Sequence, residues 1–439
     1  MVRGELKVSV VGLGYVGLPT ALAFHDAGHY VSGIDIAIDV IESLKNGKSH
    51  LIDSVCEIDI PVNSDRWLVS DSFENSIVDS KIVLITVPTP VNTDKSPDLG
   101  YVKKALDSVL MNIDPNNGTI VVLESTVYPG VTRSITEEVA SEIGLSVGRD
   151  FHIAYSPERV SPGEVGRGAS EVTRIVGSQS REVGIYLAGI YSQITTGGCK
   201  YVGQIEVAEA AKMVENTQRD IDIAFVNELA KVLPRAGLDT EKVLEAAGTK
   251  WNFHKHQPGI GVGGHCIPVD PYYYIELGKS VGVEPLMSMT AREVNESMPK
   301  HVVRLVEERI GKLEGLEVLV LGYSYKPEIG DTRETPVLEI CERLIQLGST
   351  VSVCDPYLER GDVPMEVDFI ALAENKEFDI AILATPHQKI LEIDWSELLK
   401  RCRKGFIFDG RRSLDWIQMV EMGWDYSGVG VPNDSKILE

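Results

Sequence analysis

Positive charge is scarce in this chain of 439 residues. Lys and Arg together number 42 against 65 Asp and Glu, which gives a formal net charge of -23 at pH 7. A nucleic-acid binder needs a basic face to meet the phosphates, so the composition predicts no nucleic-acid partner. Any anionic ligand must instead be met by basic side chains that are concentrated locally.

Cysteine is also sparse, and its spacing excludes two kinds of site. None of the six cysteines stands in a Cys-x-x-Cys motif, so we expect neither a zinc site nor a dithiol redox centre, and no bound metal. An even count without a secretion signal does not indicate a disulfide framework. Most of these thiols are expected to be small buried hydrophobic groups. The six are Cys56, Cys199, Cys266, Cys341, Cys354 and Cys402.

Long apolar runs are missing as well. No stretch approaches the ~18 apolar residues that a membrane-spanning helix requires. Residues 1–7 lead directly into a strand-like run, which is not the pattern of a signal peptide. The sequence therefore predicts a cytoplasmic chain without membrane association.

Strand and helix patterns alternate in the same order near both ends of the chain. A β-branched run at 7–11 is followed by a glycine turn, a helical pattern at 18–27 and a strand at 30–34, and residues 317–355 repeat this order. Between them, residues 206–237 read as one long helix. We predict an α/β fold with two Rossmann-like, doubly wound parallel sheets joined by a helical central domain.

Gly12, Gly14 and Gly17 form a Gly-x-Gly-x-x-Gly motif between the first strand and the first helix. The first glycine permits the tight turn, the second lets a pyrophosphate approach, and the third lets helix and strand pack closely. Asp35 ends the next strand, where a carboxylate binds ribose hydroxyls and repels a 2′-phosphate. The motif alone is often only a tight turn, but this context predicts NAD. Gly322 begins a similar turn without a third glycine, so its domain is expected to hold another ligand.

Residues 261–274, GVGGHCIPVDPYYY, are the most informative stretch of the chain. The glycines leave room for a substrate beside the thiol of Cys266, and Pro268 and Pro271 stiffen the loop. Asp270 follows four residues after the thiol, close enough to orient a water molecule or an imidazole. The alternative is a buried cysteine in a glycine-rich turn.

The long helix carries three polar side chains on one face. Lys212, Asn216 and Arg219 follow the spacing i, i+4 and i+7, among apolar positions such as Val214 and Phe225 that suit a helix buried on most sides. The polar side chains form either a surface stripe or one wall of a polar cavity. In the second case Lys212 is suited to proton transfer.

Thr126, Glu158 and Arg159 follow predicted strands of the first domain. Parallel sheets bind their ligands at the carboxyl ends of the strands, so these residues are candidates for the same site. The alternative is that they are ordinary loop residues.

With these motifs the chain resembles the UDP-glucose/UDP-N-acetylhexosamine 6-dehydrogenases over nearly its whole length. The resemblance rests on several blocks in the family's order, which together are far more specific than the glycine motif. They are VVGLGYVGLPTALAF, VPTPV, ESTVYPG, YSPERVSPGE, AEAAKMVENTQRDIDIAFVNELA, AAGTKWNF, GVGGHCIPVDPYYY, GYSYKPEIGDTRETP and DGRR.

The resemblance implies a reaction and its catalytic residues. The C6 hydroxymethyl of a UDP-sugar would be oxidised twice, with NAD as cofactor, through a thiohemiacetal and a thioester. The implied catalytic roles are those of Cys266 as nucleophile, Lys212 as acid/base, Asn216 at the oxyanion, Asp270 orienting Lys212 or water, Glu158 assisting thioester hydrolysis and Thr126 positioning water.

The resemblance also implies binding residues, domain roles and an assembly. The expected domains are an NAD-binding domain at 1–200, a helical dimerisation domain at 201–311 and a UDP-sugar-binding domain at 312–439. Lys250 matches a position that reaches a neighbouring subunit's site, which implies a homodimer or a higher homo-oligomer with a shared site. The cofactor set is Gly12, Gly14, Tyr15, Val16, Gly17, Asp35, Thr89, Thr126 and Arg333. The substrate set is Arg159, Val160, Lys212, Asn216, Arg219, Lys250, Gly263, Tyr325, Lys326 and Arg412.

Departures from the family's patterns bear on the sugar. SPERV and TKWNF resemble the N-acetylglucosamine and N-acetylgalactosamine branch, and the His-Pro-Arg-Val of N-acetylmannosamine enzymes is missing. The glycine spacing before Cys266 differs from the form PGLVGGHC. The resemblance therefore favours a UDP-N-acetylhexosamine, with UDP-glucose and UDP-N-acetylmannosamine as alternatives and the epimer open.

Two rival functions remain at this point. A 2-hydroxyacid or 6-phosphogluconate-type dehydrogenase shares the opening fold but has no need for Cys266 or for a second nucleotide domain. A catalytically silent NAD-binding regulator has no need for the set of Cys266, Lys212 and Asp270.

Overall fold

The computed structural model of the chain describes residues 5–51, 58–159, 170–371 and 374–432. Its internal contacts divide the chain into two compact units. The first contains residues 1–216 and 272–284, and the second contains residues 217–271 and 285–439. The three-domain division expected from the sequence stays a prediction.

The first unit contains a sheet of eight strands. They are β1 (Lys7–Val11), β2 (Tyr30–Ile34), β3 (Trp67–Ser70), β4 (Ile82–Ile85), β5 (Ile120–Leu123), β6 (His152–Tyr155), β7 (Arg174–Ser178) and β8 (Cys199–Gly203). Their spatial order is β3-β2-β1-β4-β5-β6-β7-β8. The helices are α1 (Gly17–Asp26), α2 (Ile38–Lys45), α3 (Glu74–Ile77), α4 (Gly100–Leu110), α5 (Val131–Glu142) and α6 (Arg181–Tyr191).

Helix α7 (Ile205–Val232) begins in the first unit and ends in the second. It is followed by a short 3₁₀ helix (Pro234–Ala236) and by Gly237 in the left-handed conformation, as the proline and the glycine predicted. The other helices from here on are α8 (Thr240–Ala247), α9 (Asp270–Ser280), α10 (Leu286–Glu296), α11 (Met298–Ile310), α12 (Pro336–Gln346), α13 (Gln388–Leu391), α14 (Trp395–Lys400) and α15 (Trp416–Met422).

The second unit contains a six-stranded parallel sheet. Its strands are β9 (Glu317–Leu321), β10 (Thr350–Cys354), β11 (Asp368–Phe369), β12 (Phe378–Leu383), β13 (Cys402–Asp409) and β14 (Asp425–Gly428). Their order, β11-β10-β9-β12-β13-β14, repeats that of the first six strands of the other sheet. The predicted fold class is thereby confirmed.

Both sheets are buried on both faces, which explains their sequences. Strand β4 is Ile-Val-Leu-Ile and is buried at every position. Leu84 packs into the apolar core on one face of the sheet, and Val83 packs into the core on the other. A strand covered by helices on both sides reads as a continuous apolar run, and an alternating pattern is not needed.

Two details differ from the sequence-based expectation. Strand β7 pairs antiparallel with β6, so the first sheet is not wholly parallel. Helix α7 is also less buried than its apolar positions predicted, because Val207, Val214 and Phe225 are exposed. A helical apolar pattern shows which residues share a face, but it does not show what covers that face.

No helix within the described parts of the chain is both long enough and apolar enough to cross a membrane.

Candidate functional site

The glycine motif forms a turn that only glycine fits. Gly12 has a φ of +92°, and a Cβ on Gly17 would lie 1.8 Å from the carbonyl oxygen of Gly12. The hydroxyl of Thr86 donates to the same oxygen at 2.6 Å, which holds the turn against β4. A Cβ on Gly14, in contrast, would meet no described atom within 4 Å. Open space therefore lies at the position where a pyrophosphate is expected.

The start of α1 suits an anion. Val16 at its N-cap makes no side-chain cap hydrogen bond, and the first turn contains no acidic residue. The amide groups and the positive end of the helix dipole are thus not neutralised locally. Asp35 follows β2, where it accepts hydrogen bonds from the amides of Leu13 at 2.7 Å and Ala37 at 2.9 Å. Each carboxylate oxygen can accept a further bond, so these residues fit a dinucleotide with a free ribose diol.

The expected cofactor residues Thr89 and Thr126 lie in loops that follow strands β4 and β5. The buried Tyr273 donates its hydroxyl to the carbonyl oxygen of Thr89 at 3.0 Å. The next loop is fixed by Glu209 of α7, whose carboxylate accepts the amides of Gly130 at 2.6 Å and Thr132 at 2.9 Å. Sequence reasoning missed Glu209 because it lies far from its partners in the chain.

The structure brings Lys212, Glu158 and Arg159 together in the first unit. The ammonium group of Lys212 donates to the carbonyl oxygen of Glu158 at 2.7 Å. Arg159 forms a two-point ion pair with Glu215 of α7 and donates to the carbonyl oxygen of Thr173 at 3.1 Å. Arg159 was expected to contact substrate, and in this structure Glu215 already engages its guanidinium group.

Glu158 belongs to a buried charge network that the sequence did not reveal. Arg174 of β7 is fully buried and donates to the Glu158 carboxylate at 2.9 Å, while Glu124 lies 3.5 Å from the other arm of the guanidinium group. Tyr191 donates its hydroxyl to Glu124 at 2.5 Å. Burial raises the pKa of Glu124 to about 7, although Arg174 opposes that shift. One arginine thus serves two buried carboxyl groups.

The cysteine loop, residues 261–269, belongs to the second unit and leads into α9, whose residues from Tyr272 on belong to the first unit. The carbonyl oxygen of Cys266 accepts the amides of Val269 at 3.1 Å and Asp270 at 2.7 Å, which forms the turn before the helix. The Cys266 residue is partly exposed, whereas Asp270 is buried. A partly exposed thiol is accessible to a substrate.

Glycine is required in this loop because Tyr325 packs against it. A Cβ on Gly263 would lie 2.6 Å from the Cβ of Tyr325, and one on Gly264 would lie 2.7 Å from its ring. The amide of Gly264 donates to the carbonyl oxygen of Arg333 at 3.0 Å. The structure therefore brings together Cys266, Gly263, Tyr325 and Arg333, which were all selected from sequence.

A buried polar network anchors the cysteine loop to α7 and α10. Asn227 accepts the amide of Gly259 at 2.9 Å and donates to Asn295 at 2.8 Å. Asn295 donates to Asp220 at 2.8 Å, and Arg292 donates to the same carboxylate at 2.6 Å. A chain of hydrogen-bonded polar groups in a core favours one arrangement of the elements that it joins.

The remaining predicted substrate residues occupy different surroundings. Arg219 and Lys250 are exposed, and Lys326 is partly exposed. The buried Arg412 is held by Asp239 at 3.1 Å and Glu241 at 2.9 Å. Its neighbour Arg411, which the sequence did not single out, reaches the cysteine loop at the carbonyl oxygen of Gly261, 3.4 Å away. Asn216 lies in α7, and Val160 lies outside the described residues.

The turn after β9 repeats the geometry of the glycine motif, but its acidic residue already accepts several hydrogen bonds from within the protein. Gly322 has a φ of +83°, and Asp355 accepts the amide of Tyr323 at 2.8 Å, as Asp35 does for Leu13. The same oxygen of Asp355 also accepts the hydroxyl of Ser324 and the ring of His387, each at 3.0 Å. This saturated carboxylate is a poor acceptor for a ribose, in line with the prediction of another ligand.

No cluster of three or more His, Cys, Asp or Glu side chains with the geometry of a metal site occurs in the described ranges.

Most of the chain matches the domains of one known protein family. Residues 6–195 match the NAD binding domain of the UDP-glucose/GDP-mannose dehydrogenase family, residues 206–297 its central domain and residues 319–416 its UDP binding domain. The chain is 38% identical over 393 residues to the UDP-N-acetyl-D-glucosamine 6-dehydrogenase of Pseudomonas aeruginosa, across 88% of this chain and 91% of the relative. It is 38% identical over 412 residues to protein CapL of Staphylococcus aureus, across 92% and 95%. The solved UDP-D-ManNAc dehydrogenase of Pyrococcus horikoshii superposes with a TM-score of 0.85 at 31% identity, across 96% and 99%.

Proposed function

Since the chain belongs to the UDP-glucose/GDP-mannose dehydrogenase family and is an NAD-dependent oxidoreductase, we propose that it oxidises C6 of a UDP-N-acetylhexosamine to a carboxylate. The observation that carries the proposal is the partly exposed Cys266 at the start of α9, in a loop where glycine is required beside Tyr325. A simple alcohol dehydrogenase needs no such thiol. The chemistry that the cofactor supplies when bound is the acceptance of one hydride at each of two oxidations.

Lys212 is the proposed acid/base of the first oxidation. Its ammonium group donates to the carbonyl oxygen of Glu158 at 2.7 Å, and this contact restricts an otherwise flexible side chain. In its neutral amine form, Lys212 takes the proton of the C6 hydroxyl, directly or through a held water molecule, while C6 loses a hydride. The product of this step is the aldehyde.

Cys266 is the proposed nucleophile that makes the second oxidation possible. Its thiolate adds to the aldehyde carbon and forms a thiohemiacetal, which is tetrahedral and can lose a second hydride. Asn216 and Lys212 donate hydrogen bonds to the developing oxyanion. Loss of that hydride leaves a thioester on Sγ, so the intermediate cannot escape.

Hydrolysis completes the reaction. Water adds to the thioester carbon, Sγ leaves as the thiolate, and the carboxylate product carries both oxygens. Glu158 accepts the proton of this water, Asp270 orients Lys212 or water, and Thr126 positions the water. The bond of 2.9 Å from Arg174 to Glu158 supports this role, because it fixes the direction of the carboxylate.

Two lines of support favour an N-acetylated sugar. The P. aeruginosa relative is named for UDP-N-acetyl-D-glucosamine, and the SPERV and TKWNF stretches point to the same branch. The solved relative from P. horikoshii is named for the manno epimer. UDP-N-acetylmannosamine and UDP-glucose therefore stay as alternative substrates. Because the reaction consumes NAD and a nucleotide sugar, we expect the enzyme to act in the cytoplasm.

A homodimer with shared sites is part of the proposal. In the single chain, α7 exposes Val207, Val214, Phe225 and Val232. Their separations of seven or eleven residues return to the same face of an α-helix, so they form one apolar stripe. Trp251, 92% exposed, stands beside Lys250. In the proposed dimer, a second copy of the chain covers this stripe.

The experiment measures NADH and uronate with four sugars, the UDP derivatives of N-acetylglucosamine, N-acetylgalactosamine, N-acetylmannosamine and glucose. We expect one N-acetylhexosamine to give the highest kcat/KM and about two NADH per sugar, because two hydrides leave one carbon. Cys266→Ser should lower uronate formation by at least about a thousand-fold while NAD binding stays intact.

Cys199→Ser is the matched control, since Cys199 is also a partly exposed thiol and should tolerate the change. One NADH per sugar in the native enzyme, or full turnover by Cys266→Ser, would refute covalent catalysis. A preference for UDP-glucose would leave the mechanism standing and correct the sugar.

A further inference from the structure

A cavity in the second unit lies outside the set of predicted site residues. Its volume is about 390 Å³, and it is lined by the end of α7, the 3₁₀ helix Pro234–Ala236, helix α11 and residues 430–432. None of the lining residues belongs to the predicted cofactor, substrate or catalytic sets. The volume falls in the range of small-molecule sites.

The cavity is basic although the chain is strongly acidic. Lys231, Arg235 and Arg304 line it, and Glu308 is the one acidic residue among the described lining residues. Glu308 lies 3.5 Å from Arg304. The cavity therefore concentrates positive charge, with three cations and one acid, in a chain whose net charge is -23.

His301 lines the cavity beside these cations. Arg304 donates to its Nδ1 at 2.9 Å. Because a guanidinium group can only donate, Nδ1 must be the acceptor, and the ring proton is therefore on Nε2. His301 is 7% exposed, and its Nε2 has no hydrogen-bond partner within the described parts of the chain. This nitrogen is itself enclosed, so the ring acts in the wall of the cavity by accepting from Arg304 and holding its guanidinium group in place.

The electrostatics of the same groups point to a ligand of negative charge. Burial and the neighbouring Arg304, Lys231 and Arg235 lower the pKa of His301 to about 4, so the ring is neutral at pH 7. Burial also lowers the pKa of Lys231, and Arg304 adds to this effect although Glu228 opposes it. The cations thus repel one another, and Glu308 compensates only one of their three charges.

We propose that this cavity binds a small phosphorylated metabolite. A phosphate monoester carries close to two negative charges at pH 7 and three acceptor oxygens, which match the three cations of the cavity. A carboxylate carries one charge and would leave the site positively charged. This inference goes beyond the proposed oxidation and does not depend on it.

Calorimetry with inorganic phosphate as the probe tests the proposal. The full chain is first saturated with UDP and NAD, which fill the predicted nucleotide sites, and ionic strength is held constant with chloride. We expect saturable binding with a Kd on the order of 1 mM or below. Arg235→Gln and Arg304→Gln should weaken this binding at least about fivefold, because each removes one of three cations.

Lys300→Gln is the matched control, since Lys300 is an exposed cation of α11 that does not line the cavity. It should leave phosphate affinity unchanged. Arg235 is itself exposed, so its variant should fold. A second measurement follows the histidine ring resonance that disappears in His301→Gln, which phosphate should shift in the native protein.

The proposal fails if phosphate does not saturate, if Arg235→Gln binds like Lys300→Gln, or if the His301 resonance does not respond. An acetate titration separates the ligand classes. Acetate affinity equal to that of phosphate would overturn the assignment to phosphorylated metabolites.

Discussion

At the scale of single residues, Arg174 is the side chain whose loss should be felt most. It is fully buried, and its partners Glu124 and Glu158 are buried as well. Arg174→Met would leave two carboxylates close together without a counter-charge. Breaking one side of a buried ion pair typically costs about 3–5 kcal/mol, so we expect a loss of that size in the free energy of unfolding, measured with urea.

The control for this prediction is Arg181→Met, because Arg181 is an exposed arginine nearby in the sequence. Its unfolding curve should overlay that of the native chain. Equal stability of Arg174→Met and the native chain would mean that the network contributes specificity but no net stability.

Sequence reasoning succeeded at residues whose role is local and missed those whose partners are remote. Gly12 and Gly17 were predicted because their spacing between a strand and a helix is itself the signal. Arg174 has no such signal, since Glu124, Glu158 and Thr20 come from three distant stretches of the chain. Asn227 and Asn295 were missed for the same reason, as ordinary polar residues on two separate helices.

At the scale of elements, the alternation of strands and helices predicted the fold class. It did not predict how the strands pair or which helix faces are buried. The antiparallel contact of β7 with β6 depends on the path of the connection, which the apolar run of β7 does not encode. The exposure of Phe225 on α7 was missed because an apolar pattern shows which residues share a helix face but does not show what covers that face.

The carboxylate of Asp355 holds the turn after β9 to its neighbouring elements. Removing its charge gives a second prediction. Burial alone would raise the pKa of Asp355, but hydrogen bonds from His387 and from the amides of Tyr323 and Ser324 lower it to about 2. Asp355→Asn would place an amide donor against these donors. We expect a loss of about 2–4 kcal/mol in the free energy of unfolding at pH 7 and a higher KM for the UDP-sugar, since the turn carries Tyr325.

The pH dependence of this loss follows from the sign of the shift. The folded-state pKa lies below the ordinary value of 3.8, so the stabilisation is fully present above about pH 4. It fades as the pH falls toward 2, where the stabilities of the variant and the native chain should converge. Asp368→Asn on the neighbouring β11 is the control, because its side chain is exposed and pairs with Lys376 at the surface. A constant difference from pH 5 to pH 2 would contradict the assignment to Asp355.

At the scale of the whole molecule, the proposed dimer makes each site depend on two chains. Val214 and Phe225 on the exposed stripe of α7 give the copies an apolar surface to share. Phe225→Glu would place a charge on that surface. We expect this variant to sediment as a monomer, whereas the native chain should sediment as a dimer or a higher oligomer.

A shared site predicts that two inactive chains restore activity when they are mixed. Cys266→Ser lacks the proposed nucleophile and Lys250→Ala lacks the cation that is proposed to reach the neighbour, so each alone should be inactive. In a heterodimer, one site combines an intact Cys266 with an intact Lys250 of the partner chain. A random one-to-one mixture, refolded or co-expressed, should recover about a quarter of native activity, since half of the dimers are mixed and each has one intact site. If Lys250 served the site of its own chain, every mixed dimer would lack a complete site and the mixture would stay inactive.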